Sequence, residues 1–382
     1  MNKKTLISLL LVGFTHAFTP AFAGNADNQV VKIKRDTAKQ LSQDYAQIAP
    51  TLQRNINSYG LNAPLSALTQ PQARSSRSKR SLDSQLHSAD RALREAQGVE
   101  QVADQLLEVR LADPSMLARW QAGQAPLFAF EPAGDEKSWT QIEAFDTEGN
   151  THWLDVYQMP DRPVLVIDTD GKAALKAGLE VMRRTLAEQN PAPRMRRSAR
   201  MMAQEPAQPI DTTVLKTIRL EDDQEPWISG AAEVYAIVTG VNPSRDEPTL
   251  DIVDMPYLDY DKTTYYPNQV MIHWDRYRWG AADVILMEQD DGTNYKELAL
   301  KLNEVASDIL AAIPDLEAQA YGVVTQITGK IIEAIPDGWL TNDDDFVDVY
   351  YTLLKGREYP DQYGASGNAT ATWEPLTIEP TK

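Results

Sequence analysis

The chain has 382 residues, 55 acidic and 37 basic, with a net charge of −18 and no cysteine. That balance argues against a nucleic-acid binder, which needs clustered Lys and Arg to neutralise phosphate. The missing cysteines exclude disulfides, thiolate zinc, iron–sulfur clusters and a cysteine nucleophile, while 42% hydrophobic residues suffice for an ordinary core.

Residues 1–23 read as a secretory signal peptide. Asn2, Lys3 and Lys4 give a cationic start, residues 6–14 are apolar, and Ala21-Phe22-Ala23 is a small-x-small cleavage site before Gly24. The expectation is an exported protein, periplasmic or extracellular. No later stretch approaches the ~18 uninterrupted apolar residues of a transmembrane span.

Residues 24–125 read as helical. Ala38, Leu41, Tyr45, Ile48 and Leu52 recur at spacings of three and four, as do Leu82, Leu86, Ala89, Leu93 and Ala96. The two stretches are expected to pack as a pair, with Pro50 kinking or ending the first near Ile48. Between them, 70–81 is basic, polar and aperiodic, an exposed linker and a candidate processing site.

From 126 to 188 the period becomes two. Strands are expected at 127–132, 139–145, 151–157 and 163–168, then a helix at 173–188. Pro191, Pro193, Pro206 and Pro209, with arginines between, mark 189–209 as a second linker. Proteolysis is expected first in these two linkers, leaving a folded fragment from about Met201.

Residues 210–382 return to strands, at 213–220, 232–239, 249–253, 269–275, 281–288, 346–354 and 369–373. Seven short strands predict an antiparallel β-sandwich. A helical insertion at 295–335 separates the fifth from the sixth, and Pro314 breaks it in two. The fold class is therefore α+β.

Charge is unevenly placed. Residues 24–209 carry 23 acidic and 23 basic side chains, whereas 210–382 carry 32 and 12. The excess concentrates in three clusters at strand ends: Asp222, Asp223 and Glu225 with Glu233; Glu288, Asp290 and Asp291; and Asp344 with Asp345. Like charges so close repel unless a cation offsets them. Hard oxygen ligands without His or Cys favour calcium over zinc or copper, so these nine residues are the expected calcium ligands. No EF-hand loop is present.

Ile218-Arg219-Leu220-Glu221-Asp222-Asp223, then Gly230-Ala231-Ala232-Glu233-Val234-Tyr235, resembles the opening of the calcium-binding sandwiches of protein kinase C and synaptotagmin. Glu288-Gln289-Asp290-Asp291-Gly292, then Asp344-Asp345-Phe346-Val347, resembles their later acidic loop and return strand. That resemblance spans 213–355 and implies calcium binding. No strand matches their basic lipid-binding patch, which argues against phospholipid binding. The whole chain also resembles an uncharacterised family of secreted proteobacterial proteins.

Catalytic signatures are sparse. His87, His152 and His273 stand alone, and no H-E-x-x-H exists. Tyr363-Gly364-Ala365-Ser366-Gly367-Asn368 fails the G-x-S-x-G pattern at its last position and reads as a turn. His273 and Asp275 would share one strand face as a conceivable acid–base pair. The aromatic segment Tyr257, Tyr260, Tyr265, Tyr266, Trp274, Tyr277 and Trp279 suits either core packing or a protein- or carbohydrate-binding face. The leading expectation is an exported, calcium-binding interaction module. A secreted hydrolase, made as a zymogen cut near Arg80, and a periplasmic structural or chaperone-like factor are the alternatives.

Overall fold

The computed structural model describes residues 23–68, 77–134, 136–191, 208–222, 226–230, 232–289, 291–334 and 346–380. The signal-peptide reading and most of both linkers fall outside those residues. The protein is α+β, as its periodicities indicate.

The first half opens with helices α1 (Ala23–Gln43) and α2 (Tyr45–Asn55), strand β1 (Asn62–Pro64) and helix α3 (Arg77–Ala96). Strand β2 (Leu107–Leu111), helix α4 (Leu117–Gln121), strands β3 (Leu127–Ala129), β4 (Gln141–Phe145), β5 (Thr151–Asp155) and β6 (Val164–Thr169), and helix α5 (Gly171–Gln189) follow. The strands form one sheet in the order β1-β2-β6-β3-β4-β5, antiparallel except for β3 against β6. Every residue of β6 is buried, which explains its unbroken Val164-Leu165-Val166-Ile167 run.

Pro50 does not end a helix. The break falls at Asp44, and α2 runs through Pro50. Leu52 and, just past the helix, Ile56 are fully buried, and that packing outweighs the ~3 kcal/mol cost of proline in a helix interior. Residues 77–81, expected in the linker, belong to α3.

The second half holds two four-stranded antiparallel sheets. Strands β7 (Ile210–Leu220), β10 (Gln269–His273), β13 (Tyr359–Tyr363) and β14 (Ala369–Ile378) are ordered β10-β7-β14-β13. Strands β8 (Val234–Val241), β9 (Pro248–Asp254), β11 (Ala281–Glu288) and β12 (Phe346–Leu354) are ordered β12-β11-β8-β9. Pairing of β7 with β14 runs from Leu220↔Ala369 to Ile210↔Ile378. Between the sheets lies one core of Leu215, Ile218, Ala236, Val284, Leu286 and Trp373: the expected sandwich.

Strands β8 and β11 are buried on both faces. Even-numbered Ala236, Val238, Val284 and Leu286 face the sandwich core. Odd-numbered Tyr235, Ile237, Ile285 and Met287 join a second core with Leu175, Leu179, Leu298 and the six-stranded sheet. Helices α6 (Tyr295–Ala312), α7 (Leu316–Gln319) and α8 (Gly322–Ala334) form the insertion between the paired strands β11 and β12. Helix α6 packs on α5 and α8, and α8 on β8 and β11. Packing therefore continues from the first half into the second.

Two motif readings are resolved. Strand β10 stops at His273, and residues 274–276 turn, so His273 and Asp275 do not share a strand face. The cause is Trp274, buried with its indole donating to Thr213 Oγ1 at 3.0 Å. The Gly364–Asn368 stretch is a turn folded over buried Asp348, whose carboxylate accepts from the amides of Val349, Ser366 and Ala369 at 2.7–2.8 Å. A Cβ on Gly364 would overlap that carboxylate. The aromatic segment divides: Trp274 and Tyr277 are core, while Tyr260 and Tyr266 are exposed.

Candidate metal centre

A cavity of about 280 Å³ opens where the six-stranded sheet meets the loops leading into β8 and out of β11. Its chemistry begins on α1. Val30, Lys34, Ala38 and Leu41 share one buried stripe of that helix, so a lysine takes a position the pattern assigns to an apolar residue. Lys34 is 1% exposed.

The Lys34 ammonium donates to Asp168 Oδ1 at 2.8 Å, to Glu131 Oε2 at 2.9 Å and to Asp291 Oδ2. Asp168 is the last residue but one of β6, Glu131 follows β3 and Asp291 follows β11. Burial disfavours the lysine's charge, but Asp168, Asp291 and Glu131 outweigh it and hold the ammonium well above its ordinary pKa. The facing oxygens of the three carboxylates lie within 4.8 Å of one another.

Strand β2 supplies the second cation. Arg110 donates through Nε to Asp168 Oδ2 at 2.5 Å, and through Nη2 to the Ser229 carbonyl at 2.8 Å and to that of Ile228. It therefore ties the first sheet to the loop before β8. Burial alone would raise Asp168, yet Lys34 and Arg110 hold it down at about 2.

The remaining carboxylates are less well supplied. Glu108 is two residues from Arg110 on the same strand face and directly opposite Asp168. Burial pushes it up to about 7 despite Asn62 Nδ2 at 2.9 Å. Glu233 lies against the first residue of α5, so closely that a Cβ on Gly171 would sit 2.5 Å from the Glu233 carboxyl carbon. Burial first, then Asp291 and Asp168, push Glu233 to about 8. Glu131 is likewise raised, by burial and by its two acidic neighbours.

Among the described residues, nine carboxylates line the cavity against Lys34, Arg110 and Lys172. A neutral oxygen adds to the acceptors: the buried Gln289 Oε1 meets no hydrogen-bonding partner among the described residues, and Gln289 lines the cavity. Buried polar atoms are normally satisfied, and a dense set of carboxylate and amide oxygens is the donor chemistry of a hard cation.

Of the expected ligands, Glu233, Glu288 and Asp291 line this cavity. Asp222 does not; its amide donates to Asn368 Oδ1 at the end of β7. Asp223, Glu225, Asp290, Asp344 and Asp345 lie outside the described residues. Sequence reasoning missed Lys34, Glu108, Arg110, Glu131 and Asp168, all from the half whose charges balance. The available signal was local: charges at alternate positions of Leu107-Glu108-Val109-Arg110-Leu111, and a lysine inside an apolar helical stripe.

The family described as "Protein of unknown function (DUF3103)" matches residues 34–381, and the chain belongs to it. No curated protein and no solved structure matches the chain. Among the described residues, no helix is long and apolar enough to cross a membrane.

Proposed function

We propose that this is an exported protein in which calcium enters the cavity between the six-stranded sheet and the sandwich. The ion fixes the loops around β8 and β11 for recognition of a protein or carbohydrate partner outside the cytoplasm. One observation carries this reading: three carboxylates converge within 4.8 Å in a cavity where the buried Gln289 Oε1 meets no hydrogen-bond partner among the described residues. Glu131, Asp168 and Asp291 would be the ligands, with Glu233, Glu288 and Gln289 at hand to complete an oxygen shell of six to eight. Magnesium is a poorer match, because it wants a tighter octahedron and sheds water reluctantly.

The test is thermal unfolding of the full chain in EDTA, in millimolar calcium and in millimolar magnesium. Calcium should raise the midpoint and magnesium should do much less. Superimposable curves would reduce the cavity to an internal ion network. Export is checked by mass spectrometry of native protein, which should begin at Gly24; retention of Met1–Ala23 would refute it.

A secreted hydrolase is the second reading. It is favoured by a carboxyl pushed to about 8, Glu233, in the same cavity as one held at about 2, Asp168. Groups separated in this way suit general acid and general base roles. EDTA-insensitive turnover that disappears in Glu233→Gln would establish it over the calcium reading.

A further inference from the structure

The Lys34 ammonium has three protons to donate, and each goes to a different carboxylate of the triad. Calcium binds oxygen at 2.3–2.6 Å, so ligand atoms around one ion lie within roughly 5 Å of each other. The facing oxygens of Glu131, Asp168 and Asp291 already meet that condition, at 4.8 Å or less, and the lysine nitrogen sits among them. One position serves two cations. They cannot share it, because both would need the same oxygens at contact distance.

We infer that Lys34 is a tethered competitor of the divalent ion: it holds the triad together when no ion is bound and must withdraw its ammonium for the ion to enter. This rests on the calcium reading above. The covalent stem sets the terms of the competition. Lys34 is anchored on α1 among buried neighbours, and its flexible four-carbon chain allows the head to move while the backbone stays. A landing place lies on the same helix face. Asp27 is seven residues earlier, lines the same cavity and interacts electrostatically with Lys34. The buried Gln289 Oε1, unpartnered among the described residues and two positions before Asp291 in the cavity wall, is the independent mark that this set of oxygens has an absent partner. Lysine alone leaves that oxygen unserved.

The device makes ion uptake a threshold event. Weak external calcium leaves the lysine in place and the cavity assembled, and only concentrations that outcompete a local ammonium load the site. Removing the ammonium should therefore tighten binding, the reverse of what is expected of a residue that helps to build a site.

The experiment is calorimetric titration of the full chain with calcium alone, wild type against Lys34→Gln. Alongside it runs nuclear magnetic resonance of wild-type protein labelled with ¹⁵N-lysine. The glutamine variant should bind calcium at least tenfold more tightly. The buried Lys34 ammonium resonance should shift or vanish as calcium is added to the wild type. Equal affinities, or weaker binding by the variant, would overturn the competition while leaving calcium binding intact. An ammonium signal unchanged at saturating calcium would do the same, and it decides the matter even if Lys34→Gln does not fold. Absence of calcium binding in both proteins would instead remove the underlying reading, and the competition with it.

Discussion

Asp283 lies within β11, fully buried, with Oδ1 accepting the Thr352 amide at 2.7 Å and Oδ2 unsatisfied among the described residues. Burial pushes its pKa up to about 6. A carboxyl raised on folding contributes stability that is complete below its unfolded pKa near 4 and is lost as pH rises through about 6. Asp283→Asn should accordingly be more stable than wild type at pH 8, by roughly 3 kcal/mol at ~1.4 kcal/mol per pKa unit. The difference should shrink to about a third of that at pH 4.5. Urea unfolding at the two pH values checks this, and a variant less stable than wild type at pH 8 would contradict it. Arg110 illustrates the opposite sign. Arg110→Met would strand Asp168 Oδ2 and two carbonyls while Lys34 keeps Oδ1, and breaking a buried pair from one side costs roughly 3–5 kcal/mol.

Helix packing gives a contest between two effects of known size. Glycine inside a helix is ~1 kcal/mol worse than alanine, so Gly→Ala should stabilise unless the methyl collides. At Gly178 on α5 it collides: the added Cβ would lie 2.4 Å from the Tyr295 ring at the start of α6. Overpacking costs ~1–3 kcal/mol, so Gly178→Ala should lower the melting temperature. Gly329 on α8 is the control, since among the described residues its methyl would meet nothing beyond its own helix within 4 Å. Gly329→Ala should raise stability by about 0.5–1 kcal/mol. Opposite signs for the pair would confirm that α5 and α6 are in ring-to-backbone contact. The strands legible in the sequence are those whose pattern is uniform, such as the buried runs of β6, β8 and β11. Strand β2 was not legible, because Glu108 and Arg110 made a central strand look like solvent-facing helix. The insertion helices were readable from their apolar stripe and Pro314. The cavity was readable only where acidic residues cluster, at Glu233, Glu288 and Asp291. Its other half depends on Asp168 and Lys34 meeting 134 residues apart, and no local pattern encodes that encounter.

Because β8 and β11 are covered on both faces, the two halves of the chain share a core, and unfolding is expected as one transition. This sets the size of the calcium response. An extracellular-type site has a dissociation constant of ~0.1–1 mM. At ~1 mM calcium the tighter limit gives about 1.4 kcal/mol. With ~2.1 cal/mol/K of unfolding entropy per residue, roughly 350 residues melting together shift by about 2 °C, whereas a sandwich melting alone would shift by about 4 °C. Differential scanning calorimetry separates the cases by the number of peaks as well as by the shift. Two peaks, with only the upper one responding to calcium, would show that the shared core does not couple the halves.

The partnership of β7 with β14 also has a consequence for the order of events during synthesis. Strand β7 lies in the middle of its sheet, yet one of its neighbours is the final strand, joined to it along the stretch from Ile210↔Ile378 to Leu220↔Ala369. A ribosome delivers β7 some 150 residues before that neighbour. Until β14 follows, one hydrogen-bonding edge of β7 waits without its native mate, and an exposed edge recruits other chains. Strand β14 thus acts as a completion signal: chains cut short before Ala369 should aggregate, while the six-stranded sheet, whose strands have all been made by Thr169, is ready far earlier.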